Sequence, residues 1–299
     1  MSRILIIRGG AIGDFILTLP AIKLLREAFP HAHLEILGYQ HIVALAQMSG
    51  YADATRSIEY SALSSFFSRD GELAPGLVEY FSSFQQIVSY LFDPDEIFAR
   101  NLRRAGVGNL IVGSPKITGE EHAARQLARP LERLALYLEE PGAKIMPNDP
   151  QKIAPDLFAV HSGSGSETKN WPIDRFIELG LSLLAASGEP RLLLVGGEAD
   201  EARLDQMAAA LPNEKLKWAE NLPLSELAAL LQNCAVFLGH DSGISHLAAA
   251  VGTPCLLLFG PTDPAIWAPA NPWVRVLRAP SQRMDGIDVR KVWAALRSL

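Results

Sequence analysis

The feature that most constrains this chain is an alternation that occurs twice. Short β-prone runs that are mostly apolar ("RILIIR", "HLEILG", "QIVSYL", "NLIVG") are each followed by segments with helical spacing, such as "FILTLPAIKLLREAF". After residue 150 the pattern returns with "LFAVHSG", "RLLLVGG", "AVFLGH" and "PCLLLFG". A strand that is apolar on both faces must be covered on both, and a parallel sheet flanked by crossover helices does this. The expected fold class is therefore α/β, with two Rossmann-like parallel-sheet domains. Between them "EEPGAKIMPNDPQKIAP" (139–155), with four prolines and little periodicity, reads as a linker. The expected division is 1–150 and 151–299, closed by a last helix from about 285 to 299 that could pack back on the N-terminal domain.

Length and composition agree with that division. The 299 residues suit two domains, and 48% apolar content supplies two cores. A net charge of −6 argues against a nucleic-acid partner held by a basic face. The two cysteines, Cys234 and Cys255, lie in apolar runs and read as core residues of a reducing compartment. The apolar run in "MSRILIIRGG" is too short for a signal peptide, and no stretch reaches a membrane-spanning length. A cytoplasmic protein is expected.

Ligands in such sheets bind beyond the carboxyl ends of the strands, so the residues that follow each strand carry the argument. The turn "RGGAIGD" has Arg8 where a dinucleotide fingerprint needs its first glycine, and no acidic residue closes the second strand. That disfavours a dehydrogenase. Asp14, at the start of the next helix, is either an N-cap or a general base at the strand end. "HSGSGSETKNWP" (161–172) offers Ser164, backbone amides and Lys169 to phosphate oxygens, although a flexible surface loop would look similar and the spacing is not Walker A. Glu198 follows a strand and two glycines, suited to ribose hydroxyls or simply to a helix start.

"GHDSGISHLAAAVGTP" (239–254) contains the residue types of a hydrolase triad: Asp241, Ser242 and His246. The serine lacks the G-x-S-x-G elbow, however, and its histidine would have to arrive from a distant loop. Asp241 instead reads as the cap of a helix whose first turn holds Ser242 and Gly243, with His246 on the face of Ser242. Such a helix start is an anion site. "FDPDEIF" resembles a metal-binding D-x-D, but Asp93, Pro94, Asp95 and Glu96 also make an ordinary helix start. The histidines at 31, 33, 41 and 122 show no metal-ligand spacing. Residues 97–134 carry seven basic side chains, Arg100, Arg103, Arg104 and Arg125 among them, against three acidic ones. This surplus is either a solvated helix face or a surface for an anionic partner.

Together, "RGGAIGDFILTLPAIKLLREAFP", "HSGSGSETKNWP", the strand ending "GGE" and "GHDSGISHLAAAVGTPCLLLFGPTDP" resemble the bacterial ADP-heptose:lipopolysaccharide heptosyltransferases, glycosyltransferase family 9. The resemblance runs from residue 1 to about residue 270. It implies a GT-B fold, whose domains face each other across a cleft, with acceptor on the N-terminal side and sugar nucleotide on the C-terminal side. It also implies an inverting, metal-independent transfer that needs no cofactor beyond the ADP-sugar substrate. Carried onto this chain, Asp14 matches the catalytic base, and Ser164 and Lys169 the phosphate loop. Glu198 matches the ribose ligand, and Leu222 the apolar residue near the nucleobase. Asp241, Ser242, Gly243 and His246 match the diphosphate motif. The implied partners are a nucleotide-sugar donor and an anionic glycolipid acceptor, met at the inner membrane surface; the basic surplus noted above, not the resemblance, makes Arg100, Arg103, Arg104 and Arg125 the acceptor-binding candidates. A nucleotide-sugar epimerase or hydrolase on this fold, or a non-catalytic sugar-nucleotide binder, stays open at this stage.

Overall fold

The computed structural model describes residues 2–147 and 153–299, which form two compact units, Met1–Pro141 and Gly142–Leu299. The first contains β1 (Arg3–Arg8), β2 (His33–Gly38), β3 (Ala54–Ser57), β4 (Gln86–Ser89) and β5 (Leu110–Val112). Its helices are α1 (Ile12–Ala28), α2 (Gln40–Met48), α3 (Pro75–Ser82), α4 (Ile97–Arg104) and α5 (Ala123–Ala128). The strands form one parallel sheet in the order β3-β2-β1-β4-β5.

The second unit contains β6 (Ala154–His161), β7 (Arg191–Gly196), β8 (Leu216–Glu220), β9 (Cys234–His240), β10 (Cys255–Phe259) and β11 (Val274–Arg278). Its helices are α6 (Ile173–Leu184), α7 (Glu201–Ala210), α8 (Leu224–Gln232), α9 (Gly243–Ala250), α10 (Pro264–Trp267) and α11 (Val289–Leu296). The parallel order is β11-β10-β9-β6-β7-β8. Both sheets therefore reverse direction of growth next to their first strand, between β1 and β4 and between β6 and β9. These are the points where the crevices for ligands open in doubly wound sheets.

Central strands are apolar because helices cover both faces. Leu5, Ile7 and Ile87 pack with Phe66, Phe81, Phe98 and Leu102 in the first unit, where Phe66 and Phe81 lie 4.7 Å apart. Leu192, Leu194, Leu238, Leu256 and Leu258 meet Trp171, Phe176 and Leu204 in the second. Each such side chain contributes about 1.5–3 kcal/mol by leaving water.

Three strands are absent from the sequence reading: β3, β8 and β11. Each is an outer strand or neighbours only one, and "ATRS", "LKWAE" and "VRVLR" mix charge with apolar residues because one face or edge stays in water. The expected boundary between residues 150 and 151 lies outside the described residues. The compact units part earlier, at 141/142, because Ala143 and Ile145 bury themselves in the second unit. Asn271 Nδ2 donates to the Ala143 carbonyl at 2.9 Å, and the Ile145 amide to Ala250 at 2.8 Å.

Two further expectations change. The last helix is shorter than read, Val289–Leu296, and packs on the second unit's own core through Val292, Ala295 and Leu296. The helix expected to begin at Asp93 begins at Ile97. Residues 93–96 instead make a turn, with Glu96 left-handed (φ 54°) and the Asp93 carboxylate accepting the Ala99 amide at 2.9 Å. No helix among the described residues is long and apolar enough to cross a membrane.

Candidate active site

The first unit's strand-end feature is built by β1 and the turn after it. Gly10 is in the left-handed region (φ 105°), and a Cβ there would stand 2.9 Å from Asp14 Oδ2, so the turn brings backbone against that carboxylate. Asp14 is not the cap of α1 but its third residue. Its Oδ2 accepts the Ala11 amide at 3.1 Å, and its Oδ1 lies 3.8 Å from Arg8 Nη2. Arg8 closes β1 and is buried. Its Nε donates to Thr18 Oγ1 at 3.0 Å and its Nη2 to the Asp14 carbonyl at 3.2 Å. Burial lowers the Arg8 pKa, and the Asp14 charge works against that shift. Both residues line a cleft of about 430 Å³, with Tyr39, Glu59, Phe67 and Phe92 on its walls.

None of the four candidate arginines lines this cleft. Arg100 donates to the Asp95 carbonyl, Arg103 pairs with Glu96 at 3.8 Å, and Arg104 donates to Asn101 Oδ1 at 2.8 Å. Arg125 is committed to the carbonyls of Leu138 and Glu139, at 2.8 and 2.7 Å. Asp95 of the D-x-D pairs with Arg69 at 2.9 Å. These arginines, the acceptor-binding candidates, thus lie away from the cleft that holds Asp14. An aromatic and acidic wall occupies that position.

In the second unit the loops after β6, β7, β8 and β9 gather the remaining candidates. Lys169 Nζ donates to Asp241 Oδ2 at 2.8 Å. Ser242, not Asp241, caps α9, its Oγ accepting the Ser245 amide at 3.3 Å. Asp241 is thereby left to hold the lysine. Gly243 opens the helix, whose first amides have no intrahelical acceptor, while His246 is buried one turn in. Ser164 is used inside its own loop, its Oγ within 2.8 Å of Asn170 Oδ1. Glu198 is exposed just past β7, and Leu222 is partly buried just past the neighbouring β8.

The loop rests on polar groups that the sequence reading passed over. His240, at the end of β9, accepts the Trp171 amide through Nε2 at 2.9 Å and faces the Gly163 carbonyl through Nδ1 at 3.3 Å. Burial pulls its pKa down to about 3, so the ring is neutral. His161 Nε2 meets Asp200 Oδ2 at 3.2 Å, and its Nδ1 meets Ser242 Oγ at 3.3 Å. Burial alone would raise Asp200, but the hydrogen bonds from His161 and the Gly197 amide hold its carboxyl below the usual range. The loop accommodates that carboxylate only because residue 163 is glycine, since a Cβ there would fall 1.6 Å from Asp200 Oδ1. Ser162 Oγ and Thr262 Oγ1, after β6 and β10, are buried with no hydrogen-bond partner among the described residues. The legible signal for Arg8, His161 and His240 is a polar residue closing an apolar strand. Asp200 and Thr262 left no such mark.

The chain is similar to known proteins. Residues 121–292 match the family model "Glycosyltransferase family 9 (heptosyltransferase)". Lipopolysaccharide heptosyltransferase 2 of Salmonella typhimurium is 28% identical over 167 residues, 54% of this chain and 47% of that protein. The chain thus matches about half the length of that curated relative. Among solved structures, a family 9 glycosyl transferase of Veillonella parvula superposes with a TM-score of 0.80 at 19% identity, covering 99% of this chain and 96% of that one. An Escherichia coli heptosyltransferase solved with ADP gives 0.75 at 18% identity, covering 99% of both. The two parallel-sheet units are those of the GT-B fold, and the chain belongs to glycosyltransferase family 9.

Proposed function

We propose that this protein is an inverting, metal-independent glycosyltransferase. It would move a heptose or related sugar from an ADP-sugar to an anionic glycan such as a lipopolysaccharide core, working in the cytoplasm at the inner membrane face. The observation that carries the reading is a pair of unlike groups at equivalent strand ends. A partly exposed carboxylate, Asp14, stands after β1, and a lysine-flanked helix start, Lys169 with Ser242 and Gly243, stands after β6 and β9. One suits a proton acceptor and the other a leaving diphosphate.

In this mechanism the acceptor hydroxyl gives its proton to Asp14 as its oxygen attacks the anomeric carbon. The bond from that carbon to the β-phosphate oxygen breaks on the opposite face, and the electron pair stays with ADP. Lys169 and the first amides of α9 meet the charge that develops, a role for preorganised donors that a metal fills elsewhere. Asp241 aims the lysine. Glu198 and Leu222 would take the ribose and the nucleobase, and the unpartnered Ser162 and Thr262 hydroxyls favour a polar ligand in the same crevice.

The test is a thermal-shift panel of ADP-, UDP- and GDP-sugars, followed by ADP release with and without a heptose-accepting glycolipid. Stabilisation by ADP-sugars above the others, with release that requires the acceptor, is expected. Equal release without acceptor would replace the transferase by a hydrolase.

A further inference from the structure

His161 is buried and Asp200 largely so, both are charged or chargeable, and the transfer as described uses neither. They nevertheless form a connected line with a residue that is used: Asp200, His161, Ser242, Ser245 and the His240 carbonyl. Proton counting along the line is informative. The Asp200 carboxylate already accepts the Gly197 amide, so the hydrogen bond to His161 requires the ring proton on Nε2. The Ser245 hydroxyl spends its own proton on the His240 carbonyl, leaving only lone pairs toward Ser242. When His161 is neutral, Nδ1 is an acceptor and takes the single Ser242 proton. When Nδ1 is protonated it donates to Ser242 Oγ, and the serine proton is released for another acceptor.

We propose that His161 is a positioning residue that turns the Ser242 hydroxyl onto the diphosphate of a bound nucleotide, so that nucleotide binding takes a proton onto Nδ1. The inference rests on the donor reading above and says which form of the site binds. Nothing covalent changes in this step: one proton moves from solvent to His161, and the Ser242 hydrogen bond rotates from the ring to a phosphate oxygen. Gly163 provides the space that keeps Asp200 against the ring, and Arg203 anchors the same loop by donating to the Ser162 and Trp171 carbonyls, both at 2.7 Å. The charged and titratable groups about His161 are Asp200 before α7, Arg203 on α7, and the neutral His240 at the end of β9. One residue before Ser242 is Asp241 with its lysine. Of these, His161 is the one whose ring nitrogen meets Ser242 Oγ, so its protonation state sets the direction of that hydrogen bond.

The experiment is calorimetry of ADP binding to the full chain at pH 8, where the ADP phosphates are ionised, in two buffers of different ionisation heat. The wild type should take up a substantial fraction of one proton per ADP, and its affinity should fall with rising pH by up to about tenfold per unit. His161→Asn, whose amide can donate to Ser242 but does not titrate, should bind ADP with no proton uptake and a flat pH profile. Ser242→Ala should also lose the uptake and weaken binding on the order of tenfold. Equal uptake in all three proteins, or none in the wild type, overturns the proposal while leaving the donor site standing. Failure of the wild type to bind ADP overturns the donor reading itself.

Discussion

The two strand-end sites have the same topology and opposite electrostatics. After β1, the Asp14 side chain is 40% exposed and its cation partner, Arg8, stands off at 3.8 Å. After β6 and β9, Asp200 and Asp241 are 13% and 10% exposed, and each is in direct contact with a histidine or a lysine. A carboxylate that must accept a proton needs a free oxygen and access to substrate. A carboxylate that must aim a cation needs neither and is better buried. Exposure and pairing, more than residue type, separate the proposed base from the proposed positioning acids.

The largest effect should come from breaking the exposed side. Asp14→Asn keeps the contact to the Ala11 amide but removes the proton acceptor. Transfer should fall by about 10² to 10⁴ with ADP binding unchanged. Near-normal turnover, read as acceptor-dependent ADP release, would move the base elsewhere.

The buried side should respond in binding. Lys169→Ala removes a cation and leaves Asp241 buried without its partner, so ADP affinity measured by calorimetry should fall by roughly 10- to 100-fold. Lys169→Ala with Asp241→Asn should recover part of that loss, because the unpaired negative charge disappears. A double variant no better than the single would mean that Asp241 does more than aim the lysine.

The smallest effect concerns stability. His240 has a folded pKa of about 3, below its unfolded value near 6.5, so the unfolded chain binds the extra proton. Its contribution is complete above about pH 6.5 and is lost as pH falls toward 3, by at most about 1.4 kcal/mol per unit. In His240→Gln, which retains an acceptor for the Trp171 amide, denaturant unfolding at pH 7 and pH 5.5 should differ less than in the wild type. Identical differences in the two proteins would show that the ring takes up its proton as readily folded as unfolded.

The same contrast explains what was readable beforehand. Central strands announced themselves because both of their faces are buried, and the strand-end loops because small residues and a lone lysine or aspartate interrupt apolar runs. Edge strands such as "ATRS" did not, since half-exposed positions need no apolar residue. The arginines of α4 stand out in a charge count, which carries no record of direction. In the fold they pair with Asn101, Glu96 and the Asp95 carbonyl. The cleft beside Asp14 is walled by Tyr39, Phe67 and Phe92, which come from separate segments that no local pattern joins.

The amino-acid sequence by itself determined two doubly wound units, the carboxylate at 14, and the lysine and helix start at 169 and 241–243. These depend on period, glycine placement and capping, all of which act within a few residues. Only the tertiary structure decided that Ser242 is the cap, that Asp241 holds Lys169 across 72 positions, and that Asp200 reaches His161 across 39. Those contacts are set by sheet order, which brings the ends of β6, β7 and β9 side by side, and distance along the chain carries no record of it.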